Sequence, residues 1–263
     1  MKVGFIGFGK VAYTLSKKLL ENNVGVFTST KGRSLKTKQL AMNSGVNIIS
    51  SYEEVAKLSD ILISSTSPKT ALAIAKKYGI LCDGVFIDLN NISPETTKKI
   101  AVLFDESKAN PTSNSYFVDG AIIGKVSSPI SAIIVSGENS DKVAILNIYG
   151  LNVKVISQKI GDASTIKILR SIYTKGITAI AHETFQIAEH LCLANELFEH
   201  LSFTEGENFE SKTKSRISSL ATSKSRKFEE MDEVLDFLKS IYEEEELEFN
   251  SIMSVAAKNK FKS

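Results

Sequence analysis

The sequence predicts an α/β domain built on a doubly wound parallel sheet, followed by an all-helical domain. Short apolar runs alternate with helical stretches through residue 158, at 3–6, 25–28, 61–64, 85–88, 117–122 and 133–135. Parallel strands need crossover helices, and such crossovers are almost always right-handed, so this alternation predicts the doubly wound sheet. Beyond residue 161 the apolar spacing changes to three or four residues, which is typical of helices. We therefore expect domains at 1–158 and 159–263.

Composition favours small-molecule chemistry. The chain has 263 residues, of which 43% are hydrophobic and 24% charged, as in ordinary globular proteins. Its formal net charge of +2 is too small to indicate binding to nucleic acid or to a membrane. Cys82 and Cys192 are far apart in sequence, so neither a disulfide scaffold nor a metal site is expected. With no signal peptide pattern and no membrane-spanning apolar run, the expected location is the cytoplasm.

The second domain is predicted to contain a few long helices. One helix is expected over 163–201, because apolar residues recur there at helical spacing, and a second is expected over 211–242. Residues 258–263 are expected to form a frayed tail. Apolar side chains lie on more than one side of the predicted helix over 166–193, so we expect it to pack against a second subunit as well as its own domain. A homodimer is therefore predicted.

The segment 4–12 has the form of a dinucleotide-binding fingerprint. It reads Gly-Phe-Ile-Gly-Phe-Gly-Lys-Val-Ala, after a predicted strand and before a predicted helix, and it matches G-x-G-x-x-A. Gly7 permits the tight turn and Gly9 lets the backbone approach a pyrophosphate at the helix N-terminus. The residues expected to hold the cofactor here are Gly7, Phe8, Gly9, Lys10 and Val11. The alternative is a turn that uses glycine for its geometry alone. The fingerprint predicts a Rossmann domain.

The residues after the second predicted strand favour NADP (NADPH) over NAD. NAD enzymes place an acidic residue about 20 residues beyond the fingerprint to bind the ribose hydroxyls, and this chain has none there. It has instead the hydroxyls and cations of Thr28, Ser29, Lys31 and Arg33. Such a cluster suits a doubly charged 2′-phosphate, with Arg33 making charge-assisted hydrogen bonds. The alternative is a basic surface loop exposed to water.

Further motifs carry a resemblance to a known superfamily. With the fingerprint, the segments 88–94 (Asp-Leu-Asn-Asn-Ile-Ser-Pro), 118–121 (Val-Asp-Gly-Ala) and 161–167 (Gly-Asp-Ala-Ser-Thr-Ile-Lys) resemble the β-hydroxyacid dehydrogenases. That superfamily includes 3-hydroxyisobutyrate and 6-phosphogluconate dehydrogenases. The segment 164–183 looks closer to an uncharacterised branch with its own short helical C-terminal domain.

The resemblance implies a catalytic lysine. The residue that matches the family's acid/base is Lys167, which would take the proton from the substrate hydroxyl as hydride leaves the same carbon. Arg170 and Ser171 share its helical face at i+3 and i+4, and positive charge on Arg170 and Lys175 would favour an uncharged, proton-accepting Lys167. These three residues are predicted substrate ligands. The alternative is that Lys167 is an ordinary exposed lysine of an amphipathic helix.

The remaining candidate residues follow the predicted strands. The resemblance implies that Ser65, Thr66, Pro68 and Asn90 lie beside the nicotinamide half of the cofactor, and ligands of such folds bind at carboxyl strand ends. Asn91 and Ser93 are candidate substrate ligands, or they shape the turn before a proline.

Two departures from the family concern the substrate side. The family's serine and two glycines are replaced at 122–125 by Ile-Ile-Gly-Lys, and Ser171 stands where the family has asparagine. Gly124 retains a backbone donor, and Lys125 offers a point charge for a carboxylate or phosphate.

Three functions are compatible with these residues. The first is an NADP-dependent oxidoreductase acting on a small hydroxy acid or its carbonyl counterpart. The second is an imine reductase-like enzyme, for which the lysine is less necessary. The third is a non-catalytic NADP-binding or regulatory protein, motivated by the altered loop at 122–125.

Overall fold

The computed structural model describes residues 1–108, 114–244, 246 and 251–262 of the chain. The chain divides into two compact units, Met1–Lys167 and Ile168–Ser263. This division falls inside a long helix, whereas the boundary expected from the sequence, 158/159, precedes that helix. The expected boundary stays a prediction about the domains.

A single eight-stranded sheet forms the centre of the described part of the first unit. Its strand order is β3-β2-β1-β4-β5-β6-β7-β8. The strands are β1 (Lys2–Ile6), β2 (Gly25–Ser29), β3 (Asn47–Ile49), β4 (Ile61–Ser64), β5 (Val85–Asp88), β6 (Tyr116–Ile123), β7 (Ala132–Ser136) and β8 (Val153–Ser157). The order reverses direction between β1 and β4, the switch point at which doubly wound sheets bind ligands.

Helices connect these strands along the chain. They are α1 (Lys10–Glu21), α2 (Leu35–Ser44), α3 (Tyr52–Leu58), α4 (Ala71–Lys77), α5 (Pro94–Ser107) and α6 (Ser140–Ala144), with 3-10 turns at Pro68–Thr70, Gly79–Leu81 and Ile145–Tyr149. Buried apolar side chains from the sheet divide into two clusters: one includes Phe5 and Val26, and the other includes Leu62 and Phe86. This is the α/β architecture with a doubly wound sheet that the sequence predicts.

The sheet is mixed, where the sequence predicts a parallel one. Strands β1 to β6 are parallel to their neighbours, but β7 runs antiparallel to β6, and β8 is parallel to β7. The link between β6 and β7 is residues 124–131, too short for the roughly dozen residues that a parallel crossover needs.

The strands β3 and β8 are absent from the sequence prediction. Strand β3 is only three residues long and lies at a sheet edge with little burial, so it leaves a weak apolar signal. Strand β8 lies at the other edge and alternates buried and more exposed residues in place of the continuous apolar run of a central strand.

Helices make up the described part of the second unit. Helix α7 (Asp162–His190) begins in the first unit, and α8 (Ala194–Glu205), α9 (Phe209–Glu244) and α10 (Ile252–Lys260) follow it. The helix predicted over 163–201 is thus two helices. Cys192 has a φ of 58° and ends the first of them, and no glycine or proline there signals the break. The helix predicted over 211–242 is confirmed as α9.

The predicted frayed tail is wrong for the described residues of that segment. Helix α10 runs to Lys260, and the Phe261 side chain is fully buried. It belongs to an apolar cluster with Met231 of α9 and Ala179 of α7, so the end of the chain contributes to the core of the second unit. Phe261 is a single aromatic residue among the polar residues of 258–263, so the sequence pattern did not indicate that it is buried. Ser263 lies outside the described residues.

Candidate functional site

The fingerprint turn lies between β1 and α1 and has the geometry that a pyrophosphate needs. Gly7 has a φ of 84°, and a Cβ atom there would come within 2.7 Å of the Ser65 carbonyl oxygen. A Cβ atom at Gly9 would meet nothing within 4 Å, so the approach to this residue is open. Gly9 caps α1 without any side-chain hydrogen bond, and the first turn of α1 contains no acidic residue. The N–H groups of Lys10 and Val11 thus begin a helix end that suits an anion.

Phe8 contributes to this turn only through its backbone. Its side chain is buried, and its ring packs edge-on against that of Phe5 with the centroids 6.1 Å apart. Ala12 is also fully buried, which allows α1 to lie close to the sheet.

The predicted 2′-phosphate ligands at the end of β2 are of two kinds, buried hydroxyls and exposed cations. The Thr28 hydroxyl is buried and donates to the Phe5 carbonyl oxygen at 2.9 Å, so its proton is used inside the sheet. The buried Ser29 hydroxyl accepts a 3.4 Å hydrogen bond from the Lys31 backbone. Lys31 and Arg33 are exposed, and the two cations remain able to meet a phosphate. The expectation of a free donor at Thr28 therefore does not fit this geometry.

Tyr52 is a residue of this region that the sequence did not single out. It begins α3, and its hydroxyl oxygen is buried without a hydrogen-bond partner among the described residues. Burial raises the pKa of this phenol, while the Arg33 charge and the backbone of Gly7 lower it. The phenol thus lies beside both the fingerprint turn and the cation after β2. Ser51, the helix cap, signals the start of α3, but only the fold brings Tyr52 to Gly7.

The carboxyl ends of β4 and β5 bring the next candidates together. The Ser65 hydroxyl donates to the Gly7 carbonyl oxygen at 3.1 Å, which ties this strand end to the fingerprint turn. Thr66 shares a 3.1 Å hydroxyl contact with Thr70, and Pro68 starts the 3-10 turn between them. The predicted nicotinamide-side residues therefore lie along one edge of the sheet, beside the first glycine of the turn.

Asn90 is held by a buried carboxylate. Its side-chain amide donates to Asp88 at 2.7 Å and to the Ser64 hydroxyl at 2.9 Å, and its backbone N–H donates to Asp88 at 2.8 Å. Burial raises the pKa of Asp88 from 3.8 to about 6, although these hydrogen bonds act in the opposite direction. Because Asp88 is nearly inaccessible to solvent, it positions Asn90 and does not itself meet a ligand.

Ser93 shapes the turn before α5. Its hydroxyl accepts a 3.2 Å hydrogen bond from the Thr96 backbone and caps the helix, and Pro94 follows as the first helical residue. This geometry fits the alternative that Ser93 shapes the turn before a proline. Asn91 is half-buried in the same turn. Its role toward a substrate stays a prediction.

Lys167 lies at the carboxyl end of β6. Its ammonium group donates a 2.5 Å hydrogen bond to the Ile122 carbonyl oxygen, in the segment that replaces the family's serine and glycines. Gly124 follows with a φ of 85°, and Lys125 is exposed. The structure thus brings Lys167 to the end of β6, the strand that Gly124 and Lys125 follow.

A second buried carboxylate, Asp119, holds the start of the helix that carries Lys167. It accepts hydrogen bonds from the Ser164 hydroxyl at 2.6 Å, the Ser164 backbone at 2.9 Å and the Ser136 hydroxyl at 3.2 Å. The Ser136 hydroxyl in turn accepts from the Ala163 backbone at 3.0 Å. Burial raises the pKa of Asp119. Asp119 thus satisfies the Ser164 N–H in the first turn of α7, and Ser136 satisfies that of Ala163, roles that the Val-Asp-Gly-Ala motif did not reveal.

The other predicted substrate residues belong to the second unit. Arg170 is exposed, Ser171 is buried, and the Lys175 ammonium forms an ion pair with Glu230. The same ammonium lies 3.5 Å from the Ser171 hydroxyl. Lys175 thus already has a carboxylate beside it in its own unit. Convergence of these three residues on one ligand with Lys167 stays a prediction.

The described residues bear on two other kinds of site. None of the helices found there is both long enough and apolar enough to cross a membrane. The same residues include no group of three or more histidine, cysteine, aspartate and glutamate side chains arranged to hold a metal ion.

Comparison with known proteins agrees with an NADP-binding domain at the start of the chain. Residues 2–92 match the family model described as NADP oxidoreductase, coenzyme F420-dependent. This match covers the fingerprint and the end of β2, and it confirms the predicted NADP-binding domain.

Relatives extend over the whole chain. The uncharacterized 28.5 kDa protein in the 7S RNA 5′ region of Methanothermus fervidus is 42% identical over 262 residues, which cover 100% of this chain and 98% of the relative. The solved structure of the conserved protein MTH1747, of unknown function and described as similar to 3-hydroxyacid dehydrogenases, is 38% identical with a TM-score of 0.81, covering 99% of this chain and 95% of its own.

More distant structures share the fold alone. The 3-hydroxyisobutyrate dehydrogenase of Salmonella typhimurium has a TM-score of 0.75 at 14% identity, with 99% and 93% of the two chains covered. The imine reductase of Myxococcus stipitatus, solved with NADP+, has a TM-score of 0.63 at 15% identity, with 98% and 92% covered.

The fold and the strand-end site define a hydroxyacid dehydrogenase-like oxidoreductase. The chain belongs to the family of the M. fervidus protein and MTH1747, a branch of the β-hydroxyacid dehydrogenase superfamily with a helical C-terminal region. The resemblance stated from the motifs is confirmed.

The buried Asp88 carboxyl leads to a prediction about stability and pH. Its folded pKa, about 6, is above the ordinary 3.8, so the folded chain holds this proton more tightly than the unfolded chain does. The corresponding stability is present at low pH and is lost as the pH rises from about 4 through about 6, by roughly 3 kcal/mol in total. Asp88→Asn should therefore lose less stability than the wild type between pH 4.5 and pH 7.5, as measured by urea unfolding.

The matched control is Asp105→Asn, because Asp105 is an exposed acid of α5. This variant should follow the wild-type pH profile. An Asp88→Asn profile parallel to that of the wild type would mean that Asp88 is ionised in the folded chain throughout this range.

Proposed function

We propose that this protein is an NADP-dependent oxidoreductase that transfers a hydride between the nicotinamide and a small hydroxy acid or its carbonyl counterpart. The observation that carries the proposal is the position of Lys167. Its ammonium lies at the carboxyl end of β6, on the strand-end edge of the sheet that also carries the fingerprint turn. A hydride acceptor and a proton acceptor on one edge of one sheet are what oxidation of a hydroxyl requires.

Residues along the carboxyl edge of the sheet suit the successive parts of NADP. The open turn at Gly7 and Gly9 suits the pyrophosphate, and the exposed Arg33 and Lys31 suit the 2′-phosphate. Ser65, Thr66, Pro68 and Asn90, farther along the same edge, suit the nicotinamide half. When bound, the cofactor supplies the hydride chemistry. Arg33 is the residue that we expect to distinguish NADP from NAD.

Lys167 is the proposed acid/base. In the oxidative direction its uncharged amine takes the proton from the substrate hydroxyl as hydride leaves the same carbon, and in the reductive direction its ammonium returns that proton to the carbonyl oxygen. The Ile122 carbonyl oxygen orients the lysine group, and Asp119 holds the first turn of its helix. Gly124 and Lys125 are proposed to hold the carboxylate or phosphate of the substrate, and Arg170 and Ser171 are proposed to assist from α7.

Two other functions, imine reduction and NADP binding without catalysis, are each favoured by an observation. Imine reduction is favoured by the loss of the family's serine at 122–125, because an imine carries no carboxylate that such a loop must bind, and an imine reductase shares the fold. The same altered loop motivates a non-catalytic NADP-binding protein. The alternatives differ in their need for Lys167.

A homodimer is also proposed. Along α7 in the second unit and one residue beyond its end, large apolar side chains are exposed at spacings of four and seven residues: Leu169, Tyr173, Ile180, Ile187 and Leu191. A contiguous apolar face on one helix is typical of an interface between subunits, because isolated exposed apolar residues lack this periodicity. A second copy of this chain is the proposed partner.

Titration of NADPH and NADH tests the cofactor assignment. The wild type should bind NADPH far more tightly, and Arg33→Ala should lower NADPH affinity by about tenfold or more, because a hydrogen bond to a charged group is lost, while NADH affinity stays nearly constant. Lys38→Ala, an exposed lysine of α2, is the control and should behave as the wild type. Nicotinamide fluorescence measures both cofactors. If the wild type binds neither, the proposed function is wrong.

A substrate panel on Lys167→Ala separates the three functions. The panel contains small hydroxy acids, their carbonyl counterparts, cyclic imines and coenzyme F420, followed by NADPH absorbance. For a hydroxy acid, Lys167→Ala should lower kcat by about 10²–10⁴ without loss of NADPH affinity. Lys154→Ala, an exposed lysine of β8, should leave kcat unchanged. Substantial activity of Lys167→Ala on an imine would favour imine reduction, and a wild type without turnover on the panel would favour the binding protein.

Light scattering of the purified chain tests the dimer. The wild type should have the mass of two chains, and Ile180→Glu should shift it toward one chain because a charge cannot be buried in an apolar interface without a large desolvation cost. Ile148→Glu is the control, since Ile148 is exposed on a 3-10 turn of the first unit. A monomeric wild type, or a fully dimeric Ile180→Glu, would rule out this interface.

A further inference from the structure

The Tyr52 hydroxyl is a buried polar group that the described protein residues leave without a hydrogen bond. The ring packs against Tyr78 with the centroids 5.6 Å apart and joins the apolar cluster under the sheet, so the side chain is firmly held. The oxygen nevertheless makes no hydrogen bond of ordinary geometry with the described residues, although the Gly7 backbone approaches it closely enough to lower its pKa. An unpaired buried hydroxyl is costly, because it has lost its hydrogen bonds to water without replacement. Such a group calls for an acceptor or donor from outside the chain.

The neighbours of this hydroxyl show which kind of partner fits. Ser29 at the end of β2 pairs with Ile49, three residues before Tyr52, so α3 begins beside the loop that carries Arg33. The Gly7 backbone and the Arg33 charge both lower the pKa of the phenol, against the stronger opposite effect of burial. The phenol therefore stays protonated near neutral pH and can donate. An amide N–H, a guanidinium and a phenol O–H are all donors, and an acceptor with several oxygens and negative charge satisfies all three.

Arg33 is the exposed cation that acts on this buried hydroxyl. The Arg33 side chain is exposed and forms no ion pair in the part of the chain that the structure describes. Its rearrangement toward an anion therefore breaks no existing pair. Gly32, with a φ of 71° and open space around it, precedes Arg33 and allows the loop to shift.

We propose that the Tyr52 hydroxyl donates a hydrogen bond to the 2′-phosphate of the bound dinucleotide, beside Arg33, and is a second residue that selects NADP over NAD. The inference rests on the proposed function, because it assumes that the fingerprint turn binds a dinucleotide. It adds a neutral donor to the cations recognised after β2. A phosphate that meets both a guanidinium and a phenol is bound by directional contacts as well as by charge.

Calorimetry with two ligands, one with a 2′-phosphate and one without it, tests the proposed role of the Tyr52 hydroxyl. The ligands are 2′,5′-ADP and 5′-AMP, which differ only in the 2′-phosphate, and the proteins are the wild type, Tyr52→Phe and Tyr78→Phe. Tyr52→Phe should bind 2′,5′-ADP about tenfold more weakly and 5′-AMP nearly as the wild type does, because one hydrogen bond to a charged group is lost. Tyr78→Phe removes a neighbouring phenol from the same ring pair and should match the wild type with both ligands.

Urea unfolding of the same proteins adds a second readout. Tyr52→Phe removes an unpaired buried hydroxyl and keeps the ring, so it should be as stable as the wild type or more stable. If Tyr52→Phe keeps the wild-type ratio of affinities for the two ligands, the inference is overturned, and a loss of stability in that case would assign the hydroxyl to an internal water. If the wild type binds neither ligand nor NADPH, the proposed function itself fails, which is a distinct result.

Discussion

The hydrogen bonds of the Asp119 carboxylate are the constraint on which the proposed site depends. A carboxylate buried at this depth is tolerated only when its oxygens are paired, and here Ser164 and Ser136 pair them. One of these bonds satisfies the Ser164 N–H at the start of α7, where a negative charge is also favourable to the helix dipole. Together these bonds hold the start of α7 against β6 and β7. Lys167, one turn later, is thereby placed over the Ile122 carbonyl oxygen.

Asp88 plays the parallel part on the neighbouring strand. It is the register partner of Asp119, and its carboxylate holds Asn90 at the carboxyl end of β5. Two buried acids on adjacent strands oppose each other's ionisation as well as losing hydration, which makes the pair costly for the folded state. Costly buried polar networks of this kind are found where a ligand must be positioned, because alternatives that favour stability alone would be apolar.

The proposed selection of NADP over NAD depends on hydrogen-bond donors and cations rather than on shape. The loop after β2 has no acid to bind ribose hydroxyls, and it has two exposed cations, Lys31 and Arg33. The phenol of Tyr52 approaches the same place from α3, through a fold that brings the third strand's helix under the fingerprint turn. Residues distant in sequence thus form the proposed anion-binding surface at the switch point of the sheet.

The sequence by itself determined the α/β class, the fingerprint turn, the superfamily and the NADP-binding domain, because glycine geometry and strand–helix alternation are local properties. It also singled out Lys167, though only the structure brought this residue to Ile122. Tertiary structure alone decided the antiparallel β7, the edge strand β8, the break at Cys192 and the burial of Phe261. It alone turned the Thr28 hydroxyl into the sheet, placed Tyr52 beside Gly7 and paired Asp119 with Ser164. Each of these depends on contacts between residues far apart in the chain, and such contacts leave no periodic or compositional signal in the segments that make them.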